Sequence, residues 1–404
     1  MVITFVSNYI NHHQIPFCMA MDRADEVEFH FIQTQEMEAE RVKMGWGVDT
    51  TALSYVTLFY EEEEKAKRLI ADSDAVIFGW GHDIELERER LEAGKLTFKL
   101  SERIYREGQW KAISPKGLIY KYKEHIRFRN KSVFLLCAGA YVASDYALIH
   151  AYPGKKYKWG YFTECKKYTI DELQNMKSDN KLVITWAGRF IKLKHPEFAV
   201  KLAAKLKSKN IDFEMNIIGD GDMKSEISGM IDSLGVSDVI SLHGFMEPSK
   251  VRSEMEKSDI FLFTSNYLEG WGAVVGEAMN SRCAVIASKE AGAVPYLIND
   301  GVNGITYSDG NYKDFEQKAV EFICKKVKGR SVDKSDILMM GDRAYETILN
   351  SWNADTAAER LVRFCRTYLN NGEVELPTSG PLSRAEIIKA PGFKRTMQED
   401  NHLQ

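Results

Sequence analysis

The sequence predicts an α/β protein of two doubly wound parallel-sheet domains facing across a cleft. Three observations carry that expectation. The chain has 404 residues, too many for one ordinary hydrophobic core and suited to two domains of usual size. Short apolar runs of strand character alternate with helix-compatible stretches through both halves. Glycine-rich turns follow several of those runs at the point where a strand hands over to a helix. Such alternation implies parallel strands with right-handed crossovers, and ligands at the carboxyl ends of the strands.

In order, residues 2–7 (VITFVS), 28–33 (EFHFIQ), 75–80 (AVIFGW) and 133–138 (VFLLCA) read as buried strands of a first domain, 1–165. The polar stretch 166–180 (KKYTIDELQNMKSDN) is the expected linker. A second domain, 181–350, offers strands at 182–187, 213–219, 239–244, 259–264, 283–288 and 304–308. Helices fit between them over 197–207, 222–234, 248–257 and 272–281. An amphipathic helix is expected within 351–370, centred on 355–369. Residues 371–404 lose periodicity and read as a polar tail, mobile from Leu376 onward with one short helix after Ser383.

Composition narrows the function. A formal charge of −4 argues against nucleic acid as a partner. Six cysteines lie scattered in mostly apolar contexts, as in a reduced cytoplasmic protein. The first residues read as a strand with no signal-peptide pattern, and no apolar run approaches the roughly 18 residues of a membrane span.

The densest chemistry lies at Glu269-Gly270-Trp271-Gly272-Ala273-Val274-Val275-Gly276-Glu277. Two carboxylates bracket a glycine-rich turn that follows a strand and opens a helix. The two glycines let backbone approach a ligand closely, and a helix start favours phosphate. One carboxylate can accept from a ribose and the other from a second hydroxylated group. A nucleoside diphosphate sugar suits that layout.

This segment resembles the Glu-x7-Glu motif of retaining, nucleotide-sugar-dependent glycosyltransferases: family 4, glycosyl transferases group 1, with the GT-B fold of two Rossmann-like domains. Trp186-Ala187-Gly188-Arg189-Phe190, with Lys194 five residues after the arginine, looks like the family's diphosphate clamp. Ile217-Ile218-Gly219-Asp220-Gly221 looks like its strand-to-turn element, and Leu242-His243-Gly244-Phe245 like its loop near the base. Residues 291–295 (AGAVP) and 300–304 (DGVNG) complete the run. The likeness is close over about 180–310 and loose over the first 170 residues.

The resemblance implies catalytic roles for Glu269, Arg189 and Lys194. It implies donor contacts at Gly188, Gly219, Phe245, Gly270, Trp271, Gly272, Ala273 and Glu277. The donor is expected to be a nucleoside diphosphate sugar, UDP-linked, with no other cofactor. The acceptor is expected to be a growing cell-surface polysaccharide or lipid-linked glycan. Asp220-Gly221-Asp222 has the spacing of a metal-binding carboxylate pair, but it reads as a helix start capped by Asp222, and no metal is expected. Rival readings are a non-catalytic nucleotide-sugar-binding subunit of a glycosyltransferase pair and a sugar-nucleotide epimerase of the same fold.

The first domain departs from the family pattern. Where a glycine-rich loop is usual, the chain has Ser7-Asn8-Tyr9-Ile10-Asn11-His12-His13-Gln14. The family's first-domain histidine has no counterpart in Leu96–Arg103. Asn11, His12, His13 and His82 are the acceptor-side candidates. The basic, aromatic stretch Lys116–Lys131 carries six Lys/Arg against Glu124 alone. With the shorter Lys155–Trp159 it suits peripheral contact with an anionic membrane, and so a cytoplasmic protein at the inner membrane face.

Overall fold

The computed structural model describes residues 1–42, 45, 47–81, 84–177 and 181–391. The chain divides into two compact units, Met1–Glu164 with Trp352–Gln404, and Cys165–Ser351.

The first unit is built on a seven-stranded sheet in the order β3-β2-β1-β4-β5-β6-β7. The strands are β1 (Val2–Ser7), β2 (Glu28–Gln33), β3 (Val56–Leu58), β4 (Ala75–Phe78), β5 (Leu96–Ser101), β6 (Val133–Ala138) and β7 (Lys156–Trp159). Every pairing is parallel. Helices cover both faces, so β4, β5 and β6 are buried throughout. The strand order reverses between β1 and β4, which makes their carboxyl ends the crevice of this sheet.

The Ala354–Asn371 helix belongs to this unit. Asn353 accepts from the Thr356 amide at its start, and Gly372 ends it in the left-handed conformation. Its Phe364 meets the rings of Phe98, Phe134 and Tyr157 at 5.0–5.5 Å between centroids.

Three expectations for this unit need correction. The strands β3, β5 and β7 were not among those expected. β5 and β7 carry buried lysines, which hide strand character in a sequence. Lys155–Trp159 is therefore no surface patch, because Lys156, Tyr157 and Trp159 are buried in β7. Nor is the end of the chain a free tail up to residue 391. Leu382 and Ser383 are buried, and the segment runs antiparallel along β7 through Lys158, Lys156 and a Tyr157–Arg384 bridge. It thereby satisfies the open edge of the sheet.

The second unit holds a six-stranded parallel sheet in the order β10-β9-β8-β11-β12-β13. These are β8 (Leu182–Ala187), β9 (Phe213–Ile218), β10 (Ile240–His243), β11 (Ile260–Phe263), β12 (Ala284–Ser288) and β13 (Ile305–Tyr307). The Pro196–Ser208 helix shows why the pattern folds. Proline stands in its first turn, and Phe198, Ala199, Leu202, Ala203 and Leu206 repeat on one buried face. Each large apolar side chain sealed there contributes about 1.5–3 kcal/mol.

Residues 166–177, expected as a linker, are part of this unit. Thr169 and Glu172 form a capping box on the Ile170–Asn175 helix. The Tyr168 amide donates to the Tyr345 hydroxyl at 2.7 Å. The helix expected from Asp222 begins at Lys224 after Met223, so Asp222 does not cap it. Asp220 is the engaged carboxylate, held by the Gly221 amide at 2.8 Å and by Lys224 at 2.6 Å.

Candidate active site

In the second sheet the strand order reverses between β8 and β11, which pair directly. The two strongest motifs leave from these two strands, Gly188–Lys194 after β8 and Glu269–Glu277 after β11. The topology thus brings to one crevice residues about 80 positions apart in sequence.

Lys194 and Glu269 form an ion pair across that crevice, each side chain mostly buried. The lysine ends a short turn, Lys192–Lys194, and is followed by His195 in the left-handed conformation. Its ammonium also lies 6.0 Å from the centre of the Phe263 ring. The Leu193–Lys194 backbone is tied twice to the segment that follows β11. The Thr264 hydroxyl donates to the Lys194 carbonyl at 2.6 Å and accepts from the Trp186 indole at 2.7 Å. The Asn266 amide donates to the Leu193 carbonyl at 2.8 Å. Arg189 is exposed beside them. Among the described residues its guanidinium makes no ion pair or side-chain hydrogen bond, so it is a cation ready for an incoming anion.

Two glycines are demanded by close approach. Gly219 has φ +143°, and a Cβ there would lie 1.9 Å from the Gly188 carbonyl oxygen. Gly188 in turn donates its amide to Ile218 at 3.0 Å, so the two turns are stitched together. Gly272 has φ +89°, and a Cβ would stand 2.5 Å from Cζ of Phe263.

The Glu269 turn is also strapped from outside. Gly292 donates to the Glu269 carbonyl at 3.4 Å and Ala293 to that of Trp271 at 2.9 Å. The Trp271 ring itself is core, buried near Tyr296. Gly270 is buried, while Ala273 and Glu277 are half-buried. The helix they open is shorter than expected, Val274–Asn280. Phe245 is exposed after β10.

Sequence reasoning missed Thr264 and Asn266, which hold Leu193 and Lys194 in place. A polar residue ending an apolar strand was the available signal.

In the first unit, Asn11, His12 and His13 follow β1 at its own reversal point. Asn11 is spent on the turn: its carbonyl accepts from Gln14 and Ile15, and its side-chain oxygen from the His13 amide at 3.0 Å. The two imidazoles lie 3.8 Å apart. Burial lowers the pKa of both, and with His12 alongside takes His13 down to about 3, so both rings are neutral near pH 7. His82 lies outside the described residues.

Residues 169–332 match the family model for glycosyl transferases group 1. Among curated relatives, the alpha-D-kanosaminyltransferase of Streptomyces kanamyceticus is 27% identical over 35% of this chain and 36% of its own length. The D-inositol 3-phosphate glycosyltransferase of an Arthrobacter species is 30% identical over 31% of this chain and 30% of its own. The chain thus spans about a third of the length of these relatives. Anabaena HepE, solved in complex with UDP, superposes with a TM-score of 0.64 at 14% identity, covering 90% of this chain and 98% of that one. A glycosyltransferase from Rickettsia africae gives 0.65 at 14% identity, covering 92% and 99%. At such identities the superpositions speak for the fold. Residues 169–332 thus resemble the glycosyl transferases group 1 domain, in a chain whose two α/β units take the GT-B fold.

Proposed function

We propose that this chain is a retaining glycosyltransferase of family 4. It moves a sugar from a nucleoside diphosphate sugar, UDP-linked, to a hydroxyl of a polysaccharide or lipid-linked glycan, without a metal ion. The observation that carries the reading is the convergence of Arg189, Lys194 and Glu269 on the β8/β11 reversal point. Two cations and a carboxylate held there suit a diphosphate joined to a polyol. Further support comes from the UDP and glucose held by HepE, and from relatives named for sugar transfer.

On this reading Arg189 and Lys194 take the diphosphate, with backbone near Gly272 and Ala273. Glu277 accepts from the ribose, Phe245 lies by the base, and Glu269 accepts from the sugar hydroxyls. The bond from C1 to the diphosphate oxygen breaks with oxocarbenium character, and the cations stabilise the charge that builds on the leaving group. The acceptor oxygen bonds to C1 on the face the diphosphate leaves, which retains the anomeric configuration. The acceptor proton passes to the departing phosphate oxygen. Asn11, His12 and His13 are the acceptor-side candidates, the neutral imidazoles as hydrogen-bonding groups.

The test is a panel of UDP, GDP, ADP and TDP and their sugars, read by thermal shift and by product formation, with and without EDTA. One base should respond, EDTA should leave turnover unchanged, and the product anomer read by NMR should match the donor. Arg189→Ala should lower turnover about a hundredfold or more with an unchanged melting temperature. A variant keeping half its activity removes Arg189 from the site. Binding without any turnover turns the reading to a non-catalytic sugar-nucleotide subunit.

A further inference from the structure

Lys166–Lys177 reads as a linker in sequence, yet in the fold it grips the far end of the helix that leaves the Glu269 turn. That helix, Val274–Asn280, has 7 residues, about two turns. A helix so short has little stability of its own, so what holds its ends decides where it stands. Its first end is the Gly272–Ala273 turn, and Glu277 lies within it.

At the other end Asn280 is 1% exposed and pairs with the backbone of Lys166 on both sides. Its side-chain oxygen accepts from the Lys166 amide at 2.8 Å and from the Arg252 guanidinium. Its side-chain nitrogen donates to the Lys166 carbonyl at 3.1 Å. These partners fix which atom is the oxygen, because a backbone N–H and a guanidinium only donate. Arg252 also donates to Glu256, which takes the Lys166 ammonium at 2.9 Å and the Tyr168 hydroxyl at 2.6 Å.

Lys177 makes the second hold. Its buried ammonium donates to the carbonyls of Ser258 and Ser281. Those two residues cap the ends of the Pro248–Lys257 and Val274–Asn280 helices. Carbonyls at a helix end have no partner inside the helix, and a cation there meets the negative end of both dipoles. Ser281 is in turn clasped to Glu277. Its amide and its hydroxyl both donate to the Glu277 carbonyl, at 3.0 and 2.9 Å. The Lys177 ammonium thus reaches the Glu277 backbone through Ser281 alone.

We propose that Lys177 and Asn280 are positioning residues of the donor site. They act through the Val274–Asn280 helix, setting its depth and rotation and so the place of the Glu277 carboxylate and of the Gly272–Ala273 amides. Burying Lys177, Arg252 and Glu256 gains little stability over apolar packing, whereas their directional bonds fix where the helix stands. Lys166–Lys177 is then a brace for the donor crevice rather than a passive connection. The inference rests on the sugar-nucleotide reading above.

Calorimetric titration of the full chain with UDP, GDP, ADP and TDP, alongside hydrogen exchange over residues 274–283, tests it. Lys177→Met keeps the apolar stem and removes the ammonium. The diphosphate that binds the parent should bind this variant about tenfold or more weakly, and exchange over 274–283 should quicken. Lys177→Arg keeps a cation with its donors and should restore part of the affinity. Tyr345→Phe is the control. It cuts the hydroxyl's bonds to the Tyr168 amide and carbonyl, at 2.7 and 2.9 Å, which tie down the same stretch but not the helix. It should melt earlier while keeping diphosphate affinity within about twofold of the parent. Should Lys177→Met not fold, Ser281→Ala removes only the hydroxyl bond to Glu277 and should weaken binding about threefold. Equal losses of affinity in Lys177→Met and Tyr345→Phe make the network merely structural and overturn the proposal. A parent that binds none of the four diphosphates overturns the sugar-nucleotide reading and this inference with it. Binding by the parent that Lys177→Met leaves unchanged overturns this inference alone.

Discussion

Thr264→Val is the sharpest probe of how the crevice of the second unit is held. The substitution keeps shape and removes one hydroxyl. That hydroxyl accepts from the Trp186 indole at 2.7 Å and donates to the Lys194 carbonyl at 2.6 Å. Trp186 and Thr264 are both 2% exposed, so water does not replace the lost acceptor. An orphaned buried donor costs about 1–3 kcal/mol, and the lost bond to the carbonyl adds about 1 kcal/mol. The expected loss is therefore about 2–4 kcal/mol. At about 2–4 °C per kcal/mol for a unit of this size, melting should fall by roughly 4–16 °C. Urea unfolding followed by tryptophan fluorescence reads the same quantity. Thr264→Ser keeps the hydroxyl and should restore most of it. Lys194 also loses a backbone tether, so turnover in the valine variant should fall more than stability explains. A valine variant within about 1 kcal/mol of the parent refutes the bridging role.

Three further outcomes follow from named contacts. Gly219→Ala forces a Cβ to within 1.9 Å of the Gly188 carbonyl at φ +143° and should cost about 3 kcal/mol or more. Gly235→Ala, also at positive φ but with nothing within 4 Å, should cost only about 1 kcal/mol, and equal losses in urea titrations refute the steric account. Burial raises the Glu124 carboxyl from 4.5 to about 7, opposed by Lys99 and Arg88 and reinforced by Glu87. The folded state then holds that proton more tightly than the unfolded one. Its contribution is fully present below about 4.5 and is lost as pH rises through about 7. Glu124→Gln should flatten that part of the stability–pH curve, and an unchanged slope sinks the assignment. His13, held near 3 by burial and by His12, should show no imidazole titration by NMR between roughly pH 5 and pH 8, and a midpoint near 6.5 contradicts it.

The second unit was legible because its constraints are local. Gly219 is required by the Gly188 backbone and Gly272 by the Phe263 ring, each closer than a Cβ allows, and strands such as Leu182–Ala187 are apolar on both faces. Apolar runs and glycine turns suffice to find such a sheet to within a residue at most ends. The pairing of Lys194 with Glu269 was not visible as a contact, since it depends on β8 lying beside β11. Helix starts were less exact. Asp222 looked like a cap, but the chain uses Asp220 to hold the turn and begins its helix two residues later than expected.

The first unit resisted for a different reason: its buried charges are satisfied from far along the chain. Lys99 stands in the middle of a fully buried strand, which no propensity rule favours. It is tolerated because Glu87 and the segment 124–125 come to it from two helices. Arg103 and Asp145 repeat the device, with the carboxylate also accepting from the Tyr105 amide and Gln109. Lys156 in β7 gives its ammonium to the Tyr152 carbonyl at 2.9 Å. A sequence scan reads each of these residues as surface, and so loses the strands β5 and β7 that carry Lys99 and Lys156. The same arrangement explains a helix that shows its apolar side. With the Glu124 carbonyl and the His125 ring turned to Lys99 beneath it, the Pro115–Glu124 segment leaves Leu118, Ile119 and Tyr122 outside, beside the exposed Lys116 and Lys123. The stability of the sheet and the exposure of that apolar face are then one design, and a substitution at Lys99 should disturb both together.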